Sequence, residues 1–205
     1  YHLDLTAEGP EELVILDTPG YNEAGAKAAQ DRETREAVRQ ADLVLLVLDA
    51  KSPARRADLE FIRVLSEWLH SQPHLKAPPI LAVLTHIDLL SPSLEWSPPY
   101  NWQSPARPKE QAIRDAVDYN AGQFGPLLDG VVPLCTDGDR QRVYGLQEWL
   151  LPAMSAALGE ARAVAVIRTL HADIDTGRIK TVFNQLAQAG RGLLRGLIEA
   201  AEGPR

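Results

Sequence analysis

Two tetrapeptides hold the residues best suited to chemistry: DTPG at residues 17–20 and THID at residues 85–88. Each follows an apolar run, LVIL in the first case and ILAVL in the second. A carboxylate at the C-terminal end of a strand, as at Asp17, can hold a divalent cation, usually through a water. Gly20 has no Cβ, so its backbone N–H can come close to an anionic ligand. Asp88 offers two acceptor oxygens to a pair of parallel N–H donors. A ligand that lacks one of those donors leaves a desolvated oxygen unpaired, so such a carboxylate discriminates strongly. Taken singly the motifs carry little weight, because Pro19-Gly20 also suits an ordinary turn.

The elements around the motifs have the right character to position them. Residues 1–6 alternate like an edge strand, and residues 12–16 form a short apolar strand that ends at Asp17. Residues 31–40 are polar and helix-prone. Residues 42–49 (DLVLLVLD) form a continuous apolar run, as expected of a parallel strand buried on both faces. Between residues 54 and 69, Leu59, Ile62, Leu65, Trp68 and Leu69 recur at helical spacing, after a Ser52-Pro53 start signal. Residues 80–84 give a second buried strand leading into THID. The stretch 91–109 is rich in proline and holds Trp96 and Trp102, which excludes a regular helix or a central strand. Its aromatic residues are expected to pack on the domain's own surface, with a partner surface as the alternative. A helix over 108–124, a strand over 131–134 and an amphipathic helix over 144–158 complete the alternation. The predicted fold is therefore α/β and three-layered, with a mostly parallel sheet and helices on both faces. A sheet of this kind presents ligand-binding residues at the C-terminal ends of its strands.

With both motifs placed on strand ends, and a buried strand and an amphipathic helix between them, the chain resembles the translation-factor-related GTPases. It is closest to the branch that includes Era, TrmE, EngA and the dynamin-like proteins. The resemblance covers residues 1–158, implying a GTPase domain there and a helical C-terminal extension over 159–205. It implies GTP or GDP as ligand with Mg²⁺, Asp17 as the residue at the metal, and Gly20 as the γ-phosphate sensor. It implies a guanine site made by Thr85, His86 and Asp88, where the branch has the pattern [NT]-K-x-D. His86 replaces the lysine whose stem stacks on the base. A third base-contacting element, a short turn of type [SC]-A-x, corresponds to Cys135 and Thr136, acting through backbone amides. Cys135 reads equally as a small buried residue, as free cysteines usually are.

Two elements of such a domain are not found in the sequence. No G-x-x-x-x-G-K-[ST] loop occurs, no glycine precedes Gly9, and no Gly-Lys pair exists. This loop and a metal-binding switch threonine are expected before residue 1, which makes the chain a fragment that is inactive by itself. Tyr21 stands where some GTPases carry a water-orienting glutamine. Residues 21–31 (YNEAGAKAAQD) are expected to be the mobile segment that a γ-phosphate orders. The alternative to a hydrolase is a degenerate GTP-binding or docking module that works through its Pro/Trp loop and helical tail.

Composition sets the outer bounds. The 205 residues are 45% hydrophobic and 24% charged, ordinary values for a globular domain with an appendage. One cysteine excludes an internal disulfide and suits a reducing, cytoplasmic setting. The net charge of −7 resides in the body, while residues 155–205 are mildly basic. An acidic body is a poor DNA binder. The tail repeats apolar residues at near-heptad spacing, and its Gly192-x-x-x-Gly196 motif contains Arg195, which weakens a membrane-span reading. A protein partner, a homo-dimer through the G domain, a membrane and a ribosome all stay open as partners.

Overall fold

The computed structural model describes residues 2–3, 13–14, 16, 18, 27–137 and 142–158. Asp17, Gly20, residues 21–26 and the tail 159–205 lie outside them. The expectations for the γ-phosphate sensor, the Mg²⁺ ligand and the C-terminal helices therefore fall outside the described residues.

Strand β1 (His2–Leu3) pairs antiparallel with β2 (Leu13–Val14). Helix α1 (Lys27–Gln40) follows. It takes in residues 27–31, which were expected to belong to the mobile segment; only 21–26 of that segment stay undescribed. The central sheet is parallel, in the order β3 (Val44–Asp49), β4 (Ile80–Thr85), β5 (Gly130–Pro133). Its register sets Asp49 beside Thr85 and Leu84 beside Pro133, so all three strands end on one edge. Each crossover carries a helix, α2 (Arg56–His70) and α3 (Pro108–Phe124). This is the α/β, P-loop GTPase-like architecture expected.

Alternation along the strands divides the core. Leu46, Leu48, Ile80, Ala82 and Leu84 pack with Ile62, Leu65 and Leu69 of α2, Val117 and Phe124 of α3, and Val38 of α1. On the other face Val83, Val132 and Leu134 meet Leu150, with Ala153 and Met154 against them. Leu45 and Val47, the alternate residues of β3, stay exposed, so this strand, at the edge of the described sheet, is buried on one face and not on both as its apolar run led us to expect.

The buried Arg55 secures the end of β3. Its guanidinium donates to the Asp49 carbonyl at 2.6 Å and to Asn120 Oδ1 at 2.6 Å, and it pairs with Asp58 at 3.5 Å. One side chain thus ties β3, the start of α2 and the middle of α3 together. A buried guanidinium persists only with its donors matched in this way.

Past β5 the chain departs from expectation. Residues 135–136 lie in a strand rather than a turn: β6 (Cys135–Asp137) pairs antiparallel with β7 (Arg142–Tyr144). The expected helix over 144–158 begins later. Tyr144 belongs to β7, Gly145 adopts φ +95°, and a π-helical turn Leu146–Leu150 leads into α4 (Leu151–Leu158). Among the described residues no helix is long and apolar enough to cross a membrane.

Candidate functional site

The THID segment turns sharply off the end of β4. His86 adopts the left-handed conformation (φ 60°, ψ 33°), and Ile87–Leu89 form a single 3₁₀ turn. For a residue with a Cβ this conformation costs roughly 1–2 kcal/mol. Such strain is commonly held at functional sites by the surrounding structure. The turn sends the side chains of Ile87 and Asp88 inward and leaves His86 exposed. The Thr85 hydroxyl donates to the Leu48 carbonyl at 3.1 Å, fastening the turn to β3. His86 Nδ1 lies 3.7 Å from Asp49 Oδ1.

Asp88 is only 1% exposed, and among the described residues its carboxylate is held by two long contacts. The Cys135 thiol donates to Oδ1 at 3.3 Å, and Arg142 Nη1 donates to Oδ2 at 3.3 Å. A thiol is a weak donor, and charge-assisted N–H···O bonds are ordinarily about 2.7–2.9 Å. The Cys135 side chain therefore contributes directly at Asp88, where only its backbone was expected to matter. Burial first, then the hydrogen bond to Asp88 and its charge, push this thiol up to about 12, so it stays protonated and remains a donor. Thr136 is exposed on β6.

Beneath the turn lies Lys109, completely buried in the first turn of α3. Its ammonium donates to the carbonyls of Asp88 at 2.7 Å, Leu90 at 2.6 Å and Pro92 at 3.3 Å. Three carbonyl dipoles converging on one cation substitute for the lost water shell. Desolvation still lowers the lysine's pKa, partly opposed by the Asp88 charge. Lys109 thus holds the main chain of residues 88–92 in one shape, and with it the bearing of the Asp88 carboxylate.

The Pro/Trp loop packs on its own domain. Trp96, Tyr100, Tyr144, Trp149 and Trp102 form a row of edge-on rings with centroids 4.7–6.0 Å apart. Glu110 organises the loop from the first turn of α3. Its carboxylate accepts the Arg107 guanidinium and the backbone N–H groups of Asn101, Ala106 and Arg107. The arginine first, then those amides, hold its pKa down to about 2. Arg107 also donates to Ser97 and to the Pro99 carbonyl, and its guanidinium lies 4.9 Å from the Tyr100 ring centre.

Four of the expected base-site residues therefore meet at the C-terminal edge of the sheet: Thr85, His86 and Asp88 after β4, and Cys135 after β5. Lys109 and Arg142 complete the surroundings and were not picked out from sequence, and Trp96, expected as a packed loop aromatic, lies beside Arg142. A lysine following Pro108 at a helix start has the pattern of a solvated side chain, and three-residue strands such as β7 show no usable periodicity. Residues 2–86 match the family model described as 50S ribosome-binding GTPase. The match supports a P-loop GTPase family. It spans the DTPG segment and ends at His86, two residues before Asp88. It supports guanine-nucleotide binding and GTP hydrolysis in general terms for a domain of this family. A search of curated proteins and of solved structures found no match to the chain.

Proposed function

We propose that the chain carries the guanine-reading part of a GTPase of the Era, TrmE, EngA and dynamin-like branch. The observation that carries this reading is Asp88: a buried carboxylate at a parallel strand end, whose two oxygens each have a long contact, at 3.3 Å, among the described residues. The N1–H and 2-amino groups of guanine match those two oxygens, whereas adenine lacks that donor pair. Thr85 anchors the turn, and the exposed His86 ring covers the base in place of a lysine stem. Cys135 and Thr136 line the far side.

In the working GTPase Asp17 would be the residue that holds Mg²⁺ and Gly20 the one whose N–H senses the γ-phosphate, and loss of that phosphate on hydrolysis would switch the conformation. The G domain in this reading takes in residues 1–158, and residues 159–205 follow it as an extension. The 205-residue chain contains no G-x-x-x-x-G-K-[ST] loop. By itself it binds nucleotide weakly and does not turn it over, because the backbone donors and lysine for the β- and γ-phosphates are missing from it. The docking alternative draws no support from the loop aromatics, since Trp96, Tyr100 and Trp102 face the domain's own core.

The reading is tested by titrating the ¹⁵N-labelled chain with GDP and with ADP. GDP is expected to shift the amides of residues 85–88 and 135–136 and to bind at least about tenfold more tightly than ADP. Equal affinities, or no response at these amides, would overturn it.

A further inference from the structure

We propose that Arg142 is an internal competitor for the base site: its guanidinium occupies Asp88 until guanine displaces it. This rests on the reading of Asp88 as the guanine-binding carboxylate. A guanidinium and the N1/2-amino edge of guanine present the same chemistry to a carboxylate, a fork of N–H donors in one plane. Arg142 reaches Asp88 Oδ2 from β7, at 3.3 Å. Its side chain is 22% exposed while that of Asp88 is 2% exposed, so the arginine lies on the solvent side of the carboxylate. A base approaching from solvent therefore meets the arginine first.

The surroundings make the exchange feasible. The Arg142 guanidinium also lies 5.8 Å from the Trp96 ring centre, within cation–π range. When it leaves Asp88 it retains that aromatic face. Among the described residues the other Asp88 oxygen is held by the Cys135 thiol, a weak donor that a base N–H readily replaces. Arg142 and Cys135 together keep the carboxylate hydrogen-bonded when no base is present. A buried carboxylate left bare would be costly. The consequence is a closed-to-open equilibrium that lowers apparent affinity by the fraction open. It also imposes selectivity, because a base lacking two donors cannot replace the pair that Arg142 and Cys135 supply to the two oxygens.

Guanosine is the appropriate probe, since without phosphates it has no net charge to attract or repel an arginine. Arg142→Ala is expected to bind guanosine roughly three- to tenfold more tightly than the parent chain, as expected if the closed form predominates. Unchanged or weaker binding would overturn the proposal. A second readout needs no variant: in the parent chain the Arg142 side-chain N–H resonance should shift in step with the Cys135 amide as guanosine is added. An Arg142 resonance that stays still while the Cys135 amide saturates would also overturn it. The two readings fail separately. A GDP-over-ADP preference with no gain in Arg142→Ala removes the competitor alone. Equal GDP and ADP affinities remove the base reading, and the competitor with it.

Discussion

Lys109→Met is expected to destabilise the chain by about 3 kcal/mol, among the largest effects of any single substitution. Methionine nearly matches the lysine in length and fills the same space, so packing is largely kept. What is lost is the cation that three carbonyls surround, those of Asp88, Leu90 and Pro92. No water reaches this completely buried side chain to replace it. A cation in the first turn of a helix is opposed by the helix dipole, so the lysine is not there to favour α3. Its role is to hold the segment that follows THID. Chemical denaturation should show the loss, with a melting temperature lower by about 6–12 °C for a chain of this size. Hydrogen exchange should quicken at residues 87–92 before it does in β3. A loss below about 1 kcal/mol would mean that the carbonyls find other partners and that Lys109 does not set the Asp88 turn.

Gly145→Ala is expected to cost about 2–4 kcal/mol, combining a disfavoured backbone with overpacking. Gly145 has φ +95°, a conformation L side chains rarely adopt. A Cβ there would lie 2.5 Å from the Pro133 carbonyl oxygen and 3.0 Å from Leu134 Cα. It would also lie 2.9 Å from Trp149 Cε3. The first two are main-chain atoms at the end of β5 and cannot move aside without shifting Cys135. The substitution should therefore disturb the Asp88 site as well as global stability, and perturb the Cys135 amide in NMR spectra. Gly122→Ala is the control. Nothing lies within 4 Å of the added Cβ, and the site is inside α3, so the change should be neutral or stabilising by up to about 1 kcal/mol. Equal effects at the two positions would contradict the account of the β7–α4 junction.

These two residues also mark where sequence patterns stop being informative. The run 80–84 announced a strand buried on both faces, because an apolar residue at nearly every position has few other uses; the run 42–49 announced a parallel strand but not its exposed face, which carries Leu45 and Val47. The amphipathic spacing of Leu59, Ile62, Leu65 and Leu69 placed α2 correctly, since its buried face follows that spacing. The period around 144–158 was real, but it could not show that Gly145 would take a positive φ. Nor could it show that the Tyr144 ring would join the row of aromatic rings from the Pro/Trp loop. β6 and β7 are too short for alternation to be visible, which is why Cys135 and Thr136 were expected in a turn. Asp88 was legible from its type and its place after an apolar run. Its neighbours Lys109 and Arg142 were not, because their partners come from segments distant along the chain.

The central claim, that Asp88 chooses the base, is tested most directly by Asp88→Asn. An asparagine amide presents a donor where the carboxylate presented an acceptor, matching the 2-oxo group of xanthine instead of the 2-amino group of guanine. Competition between GDP and xanthosine diphosphate should favour GDP in the parent chain and xanthosine diphosphate in the variant, a reversal of roughly tenfold or more in the ratio. A variant that keeps the parent's GDP preference would contradict the assignment of Asp88.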